Sequence, residues 1–79
     1  MTIKDRVIEV VSMTLQVPAS SINEASSPDN IEQWDSMQHM NLILGLEEEF
    51  SVQFTDQQVV DLLNVELIVM TLVELGVSD

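Results

Sequence analysis

The sequence predicts an all-α fold: a small antiparallel four-helix bundle of three main helices and one short one, with a long loop between helices 1 and 2. Three observations predict it. Apolar residues recur at spacings of three and four in separate stretches, the period of a helix that buries one face. Each stretch follows a residue able to accept from the free N–H groups of a helix start. Only Val52 and Phe54 alternate as a strand would, and two residues are too few to build a sheet.

The first helix covers residues 3–15, where Ile3, Val7, Val10, Val11, Met13 and Leu15 carry the helical period. Thr2 is its N-cap, with Asp5 three residues on as a weak capping box. Val17-Pro18 ends it, because a residue before proline disfavours helix. Residues 16–34 form the longest irregular stretch, with Pro18, Pro28 and several small hydroxyl or amide residues. A loop this long in a small domain needs a reason, and carrying the chain along the bundle supplies one. Ile22, Ile31 and Trp34 read as anchors that pin it to the helices, and a short helical turn is expected near Ser20–Glu24.

The second helix covers residues 36–50. Asp35 is its N-cap, and Gln38 at the third helical position is expected to reach back as a variant capping box. With Asp35 capping, the Ser36 hydroxyl is left to point outward; with Ser36 as the cap instead, the helix starts one residue later. Leu42, Leu46 and Phe50, joined by Ile43, give the core stripe. Met37, Met40 and Leu44 lie on a neighbouring face with Glu47 and Glu48, an apolar patch beyond what a two-faced helix needs. Gly45 costs roughly 1 kcal/mol in a helix interior and reads either as tolerated or as room for another helix to approach. The short third helix is expected over residues 55–63, opened by the capping box Thr55–Gln58, with Asp56 favourable at the positive end of the dipole. Asn64 caps the last helix, Val65–Leu75, which is apolar nearly all round and is stopped by Gly76.

Size and charge bound the function. The 79 residues make a single domain, 1–79, with no room for a second core. At 46% hydrophobic residues the chain is too apolar for a disordered tail. It has no cysteine, hence no disulfide or thiolate metal site. No apolar run approaches the roughly 18 residues of a membrane span. The stretch Met1 to Val11 mixes Lys4 and Arg6 with Asp5 and Glu9, without a long apolar region, so no signal peptide is expected and a cytoplasmic location is. Fourteen acids against two bases give a net charge of −12. Such a surface repels nucleic acid and other copies of itself, and steers toward basic partners. A monomer is expected.

Ser36 is the candidate site. A catalytic serine needs an adjacent base oriented by a third group. His39, the only histidine, stands three residues on without the strand–elbow–helix context of a nucleophilic serine, and reads as solvent-facing with a local contact to Asp35. No catalytic residue and no enzymatic activity are expected. A phosphodiester on Ser36, by contrast, would sit at a helix N-terminus, where free N–H groups and the dipole favour negative charge. Calcium sensing fails on spacing: an EF-hand begun at Asp29 or at Asp35 puts Ile31 and Met40, or Met37 and Leu46, where oxygen ligands are required. No stable metal site is expected.

The run Trp34-Asp35-Ser36-Met37, leading into Leu46-Glu47-Glu48-Glu49-Phe50, resembles the attachment motif of the acyl carrier protein family, the phosphopantetheine-binding carriers. There an Asp-Ser-Leu opens a helix that ends in an acidic run and a phenylalanine. The resemblance is strongest over residues 34–56, and the order of elements matches along essentially the whole chain. It implies a 4′-phosphopantetheine arm, covalent on Ser36, attached by a phosphopantetheinyl transferase. Asp35 would help hold magnesium during that transfer. Asp35, Met37, Met40, Leu44, Glu47, Glu48, Phe54 and Asp56 would meet partner enzymes: acyl-loading ligases, synthases or transferases with basic docking patches. The implied function is to tether acyl intermediates as thioesters for fatty-acid, polyketide or related biosynthesis. Met37 for leucine, Gln38 and Asn41 where acids are common, Trp34, and Gly45 for alanine depart from the pattern, and point to a discrete, specialised bacterial-type carrier. An aminoacyl or peptidyl carrier, and an arm-less protein–protein adaptor, are the alternative readings.

Overall fold

The computed structural model describes residues 2–78; Met1 and Asp79, the two ends of the expected domain, lie outside the described residues. These residues form α1 (Ile3–Leu15), a single 3₁₀ turn (Ala19–Ser21), α2 (Ser36–Phe50), α3 (Asp56–Asp61) and α4 (Val65–Glu74), with no strand among them. α1 packs against α2 and α4. Val7 and Val11 of α1, Leu42 and Leu46 of α2, and Val65, Ile68 and Leu72 of α4 are fully buried, with Leu62 closing the core beside α3. α4 is more one-sided than its composition suggests, since Met70 and Val73 remain exposed, as does Met13 on α1.

Every helix start carries a side-chain cap. Thr2 and Asp5 form the full reciprocal box, as do Thr55 and Gln58. Asn64 Oδ1 accepts from Leu67 N at 2.8 Å. Asp35 Oδ1 accepts from Gln38 N at 2.9 Å, but Gln38 does not reach back as expected. Asp35 N instead donates to the Gln33 carbonyl at 3.1 Å, and Gln38 Oε1 accepts from Asn41 Nδ2 at 3.0 Å. With its intended donor already engaged, the Gln38 side chain turns along the helix.

The helix ends differ in part from the expectation. α1 closes before Pro18 can act: Gln16 turns left-handed at φ 58°, and Val17 N donates to the Ser12 carbonyl. α2 ends the same way, with Ser51 at φ 55° and Val52 N donating to the Glu47 carbonyl. Gly76, at φ 94°, takes the left-handed position beyond α4, whose last residue is Glu74 rather than Leu75. α3 is shorter than the expected 55–63, because Leu63 N donates to the Asp61 carbonyl and leaves the helical ladder.

The segment between α1 and α2 is pinned by Ile22, Ile31 and Trp34, all buried as the sequence suggests. The helical turn in it lies at Ala19–Ser21, slightly ahead of its expected place. Its backbone does further work. The Ser26 carbonyl accepts from Val65 N at 3.1 Å and the Glu24 carbonyl from Glu66 N at 3.0 Å. Together with Asn64 these satisfy the first-turn donors of α4 that no intrahelical partner can reach.

Three long-range features place α1 against its neighbours. A Cβ on Gly45 would stand 3.3 Å from Val10 Cγ1, tighter than an ordinary contact, so α1 lies close over this glycine and a larger side chain would press on it. Arg6 Nη2 meets Glu49 Oε2 at 3.1 Å and the Glu49 carbonyl at 3.2 Å, while its guanidinium carbon lies 4.4 Å from the centre of the Phe50 ring. Lys4 pairs with Glu24 at 3.4 Å. The two bases of the chain are thus both engaged, and the other acids have no Lys or Arg left to pair with.

Three measurements test this account. Arg6→Ala is expected to cost about 1–2 kcal/mol in chemical denaturation, through loss of a partly exposed ion pair and a cation–π contact; an unchanged midpoint contradicts it. Gly45→Val forces α1 and α2 apart and is expected to destabilise by roughly 1–3 kcal/mol. Moderate salt or magnesium screens the acidic surface and is expected to raise the melting temperature; a clear fall on salt addition overturns the self-repulsion argument.

Candidate functional site

The start of α2 is built around Asp35 and Trp34. Asp35 has an extended backbone, φ −98° and ψ −176°, and turns its carboxylate inward to cap. Ser36 is therefore the first helical residue rather than the cap, and it is exposed. Trp34, one residue before Asp35, is only 2% exposed. A buried indole N–H needs an acceptor, and His39 provides it: Trp34 Nε1 donates to His39 Nδ1 at 3.0 Å. His39 Nε2 lies 2.9 Å from the Val59 carbonyl of α3. The indole nitrogen is a donor only, so Nδ1 accepts, and the ring proton stands on Nε2 and donates to Val59.

This corrects the expectation for His39. It is half-buried, not solvent-facing, and its ring contacts Trp34 and Val59 rather than Asp35. Both ring nitrogens are engaged. The two rings lie 6.2 Å apart at 23° between planes. The signal for this contact was present in the sequence: a tryptophan expected to be buried beside a helix start, and one neutral acceptor a turn into that helix.

An open cleft of about 580 Å³ runs beside Ser36. Trp34, His39 and Met40 line one side, and Val59, Val60, Leu62 and Leu63 the other. Its lining is mostly apolar, with Asp35 the acid at its edge. On the outer face of α2, Met37, Met40 and Leu44 are 76%, 51% and 61% exposed, at spacings of three and four. Three large apolar side chains left this open on one helix face mark a surface suited to contact. Glu48 and Asp56 are exposed as well, Asp56 at the start of α3.

Two residues expected on that face do other work. Phe54 is 7% exposed and belongs to the core. Burying an aromatic ring of this size is worth roughly 2 kcal/mol or more, which outweighs keeping it on the surface. Glu47 is half-buried, and its Oε2 accepts from Phe54 N at 2.8 Å, tying the connection after α2 back onto the helix. Of the acidic run Glu47-Glu48-Glu49, the first holds Phe54, the third holds Arg6, and Glu48 makes neither contact. The sequence points to Glu47 and Glu48 as partner-facing, and local spacing does not show that the backbone N–H of Phe54 engages Glu47.

Among the described residues no group of three or more His, Cys, Asp or Glu side chains gathers to hold a metal ion. No helix among them is long and apolar enough to cross a membrane. A scan of protein-family models and a search of curated proteins each return no match for this chain.

Proposed function

We propose that this chain is an acyl carrier: a single-domain, non-catalytic protein that receives a 4′-phosphopantetheine arm on Ser36 and delivers acyl groups tethered to it. The observation that carries the reading is the exposed Ser36 hydroxyl. It is relieved of capping by Asp35 and stands at the edge of an apolar cleft, beside the open patch of Met37, Met40 and Leu44.

The residues present fit such a group. A phosphodiester on Ser36 Oγ would lie in the first turn of α2, where unpaired backbone N–H groups and the helix dipole favour an anion. The apolar cleft offers an uncharged cargo a place out of water, and this favours fatty-acid, polyketide or related acyl groups over an aminoacyl load. When bound, the arm supplies a terminal thiol on which cargo is held as a thioester. The chain's own part is to expose the Ser36 hydroxyl to a transferase, keep the arm's phosphate at the helix start, and offer Met37, Met40, Leu44 and Glu48 to partners. Asp35, whose Oδ1 is occupied by Gln38 N, keeps a second oxygen for a magnesium ion during arm transfer. His39 has no ring nitrogen to spare as a base for Ser36, which supports a carrier over a serine hydrolase.

The architecture supports the same reading. Arg6 near the start of α1 meets Glu49 near the end of α2, and Val10 faces Gly45, as in two helices running in opposite directions. The segment from Gln16 to Asp35 then serves as the long crossover of an antiparallel four-helix bundle. A net charge of −12 favours a monomer and partner enzymes with basic patches, and we take the chain to work in the cytoplasm. Its departures near the serine, Gln38 paired to Asn41 above all, lower the charge of the rim and suit a specialised carrier.

The test is incubation with coenzyme A, magnesium and a broad-specificity phosphopantetheinyl transferase, followed by intact mass. The expected result is a gain of one phosphopantetheinyl group on the wild type and none on Ser36→Ala. No gain on the wild type, or the same gain on the variant, rejects the carrier reading and leaves a protein–protein adaptor.

A further inference from the structure

α3 is the least embedded helix of the fold. It has six residues and none of them is buried. The chain on either side of it is anchored: Phe54 before it and Leu62 after it both lie in the core. Asp56–Asp61 is thus a short strap between two fixed points, touching the core through the half-buried Val59. Val59, Val60, Leu62 and Leu63 make this strap and its exit into one wall of the cleft beside Ser36.

The strap is tied at one polar point. The last four carbonyls of a helix have no partner within it, and in a helix ending at Asp61 the Val59 carbonyl is one of them. Leu63 N, which would serve it if α3 continued, donates to the Asp61 carbonyl instead. His39 Nε2 takes that place from across the cleft. Trp34, donating to Nδ1, holds the ring in the tautomer whose proton stands on Nε2 and can be donated there. Trp34 is locked in the core, so the order of control runs from the buried indole, through the imidazole, to the backbone of α3.

We infer that α3 is a hinged wall of the cleft and that His39 is the latch that holds it, a positioning residue acting through the Val59 carbonyl. With the latch made, the wall stands at the width seen here. With it broken, the strap is held by its two apolar anchors alone and swings about Phe54 and Leu62, opening the cleft beside Ser36. The latch depends on the imidazole tautomer and on α3, not on whether Ser36 carries an arm, so it stands or falls separately from the carrier reading.

Amide hydrogen exchange by NMR on the full-length chain tests it, with exchange in α3 and at Leu62 and Leu63 taken relative to α1 and α4, so that a uniform loss of stability cancels. His39→Phe keeps a ring and removes both hydrogen bonds. His39→Asn offers an oxygen near the place of Nδ1 but does not reach Val59. His39→Gln brings an amide nitrogen near the place of Nε2. The expected result is a relative acceleration of α3 of about tenfold in the Phe and Asn variants, the scale of one lost hydrogen bond, and rescue toward wild type in the Gln variant. In the wild type, imidazole nitrogen shifts should report a bare Nδ1 and a protonated Nε2. Equal exchange ratios in wild type and His39→Phe, a Gln variant no better than Phe, or the opposite tautomer each overturn the latch.

Discussion

A chain this short that folds into four helices creates an unusual density of helix ends, and each end exposes backbone groups that cannot be satisfied within its own helix. Much of the fold is arranged to satisfy them. Carbonyls of the segment after α1 accept from the first turn of α4, Glu47 accepts from the backbone that follows α2, and His39 donates to the end of α3. The elements are joined by these end-to-end contacts as well as by the apolar core. This is why the irregular segment from Gln16 to Asp35 is held in place despite its length: it supplies both apolar anchors and hydrogen-bond acceptors.

The same requirement shapes the surface around Ser36. Because Asp35 satisfies the start of α2, the serine is left with its hydroxyl uncommitted. Glu47 and Glu49 are drawn into contacts with Phe54 and Arg6, so at the acidic end of α2 Glu48 is the acid held by neither contact, although Glu49 also stays exposed. The net charge is spread over the molecule, but what lies nearest the serine is mostly apolar. The charge that acts over a distance and the apolar surface that acts at short range therefore belong to different residues.

What could be read from the sequence follows a physical division. Thr2 with Asp5, Thr55 with Gln58, Asn64 and Asp35 are caps whose partners lie within three residues, so local spacing reveals them. Periodicity likewise revealed Leu42, Leu46 and Phe50 as the inward stripe, since a helix repeats its faces regularly. The places where the structure departs from the expectation are Phe54, Glu47 and His39. For Phe54 and Glu47 the packing of the connection after α2 decides, and no helical spacing announces it, whereas His39 has its partner Trp34 five residues back in the chain. Gly45 lies between: its cost was visible locally, and its reason, the approach of α1, only in three dimensions.

One feature of the surface bears on chemical durability. Met13, Met37, Met40 and Met70 all stand exposed, while the buried core is made of Ile, Val, Leu, Phe and Trp. Oxidation turns a methionine thioether into a polar sulfoxide, and access governs how readily this happens. An oxidant would therefore reach these four side chains, two of them on the outer face of α2, before the packed interior. The protein would keep its shape while Met37 and Met40 lost their apolar character, and reduction of the sulfoxides would restore it.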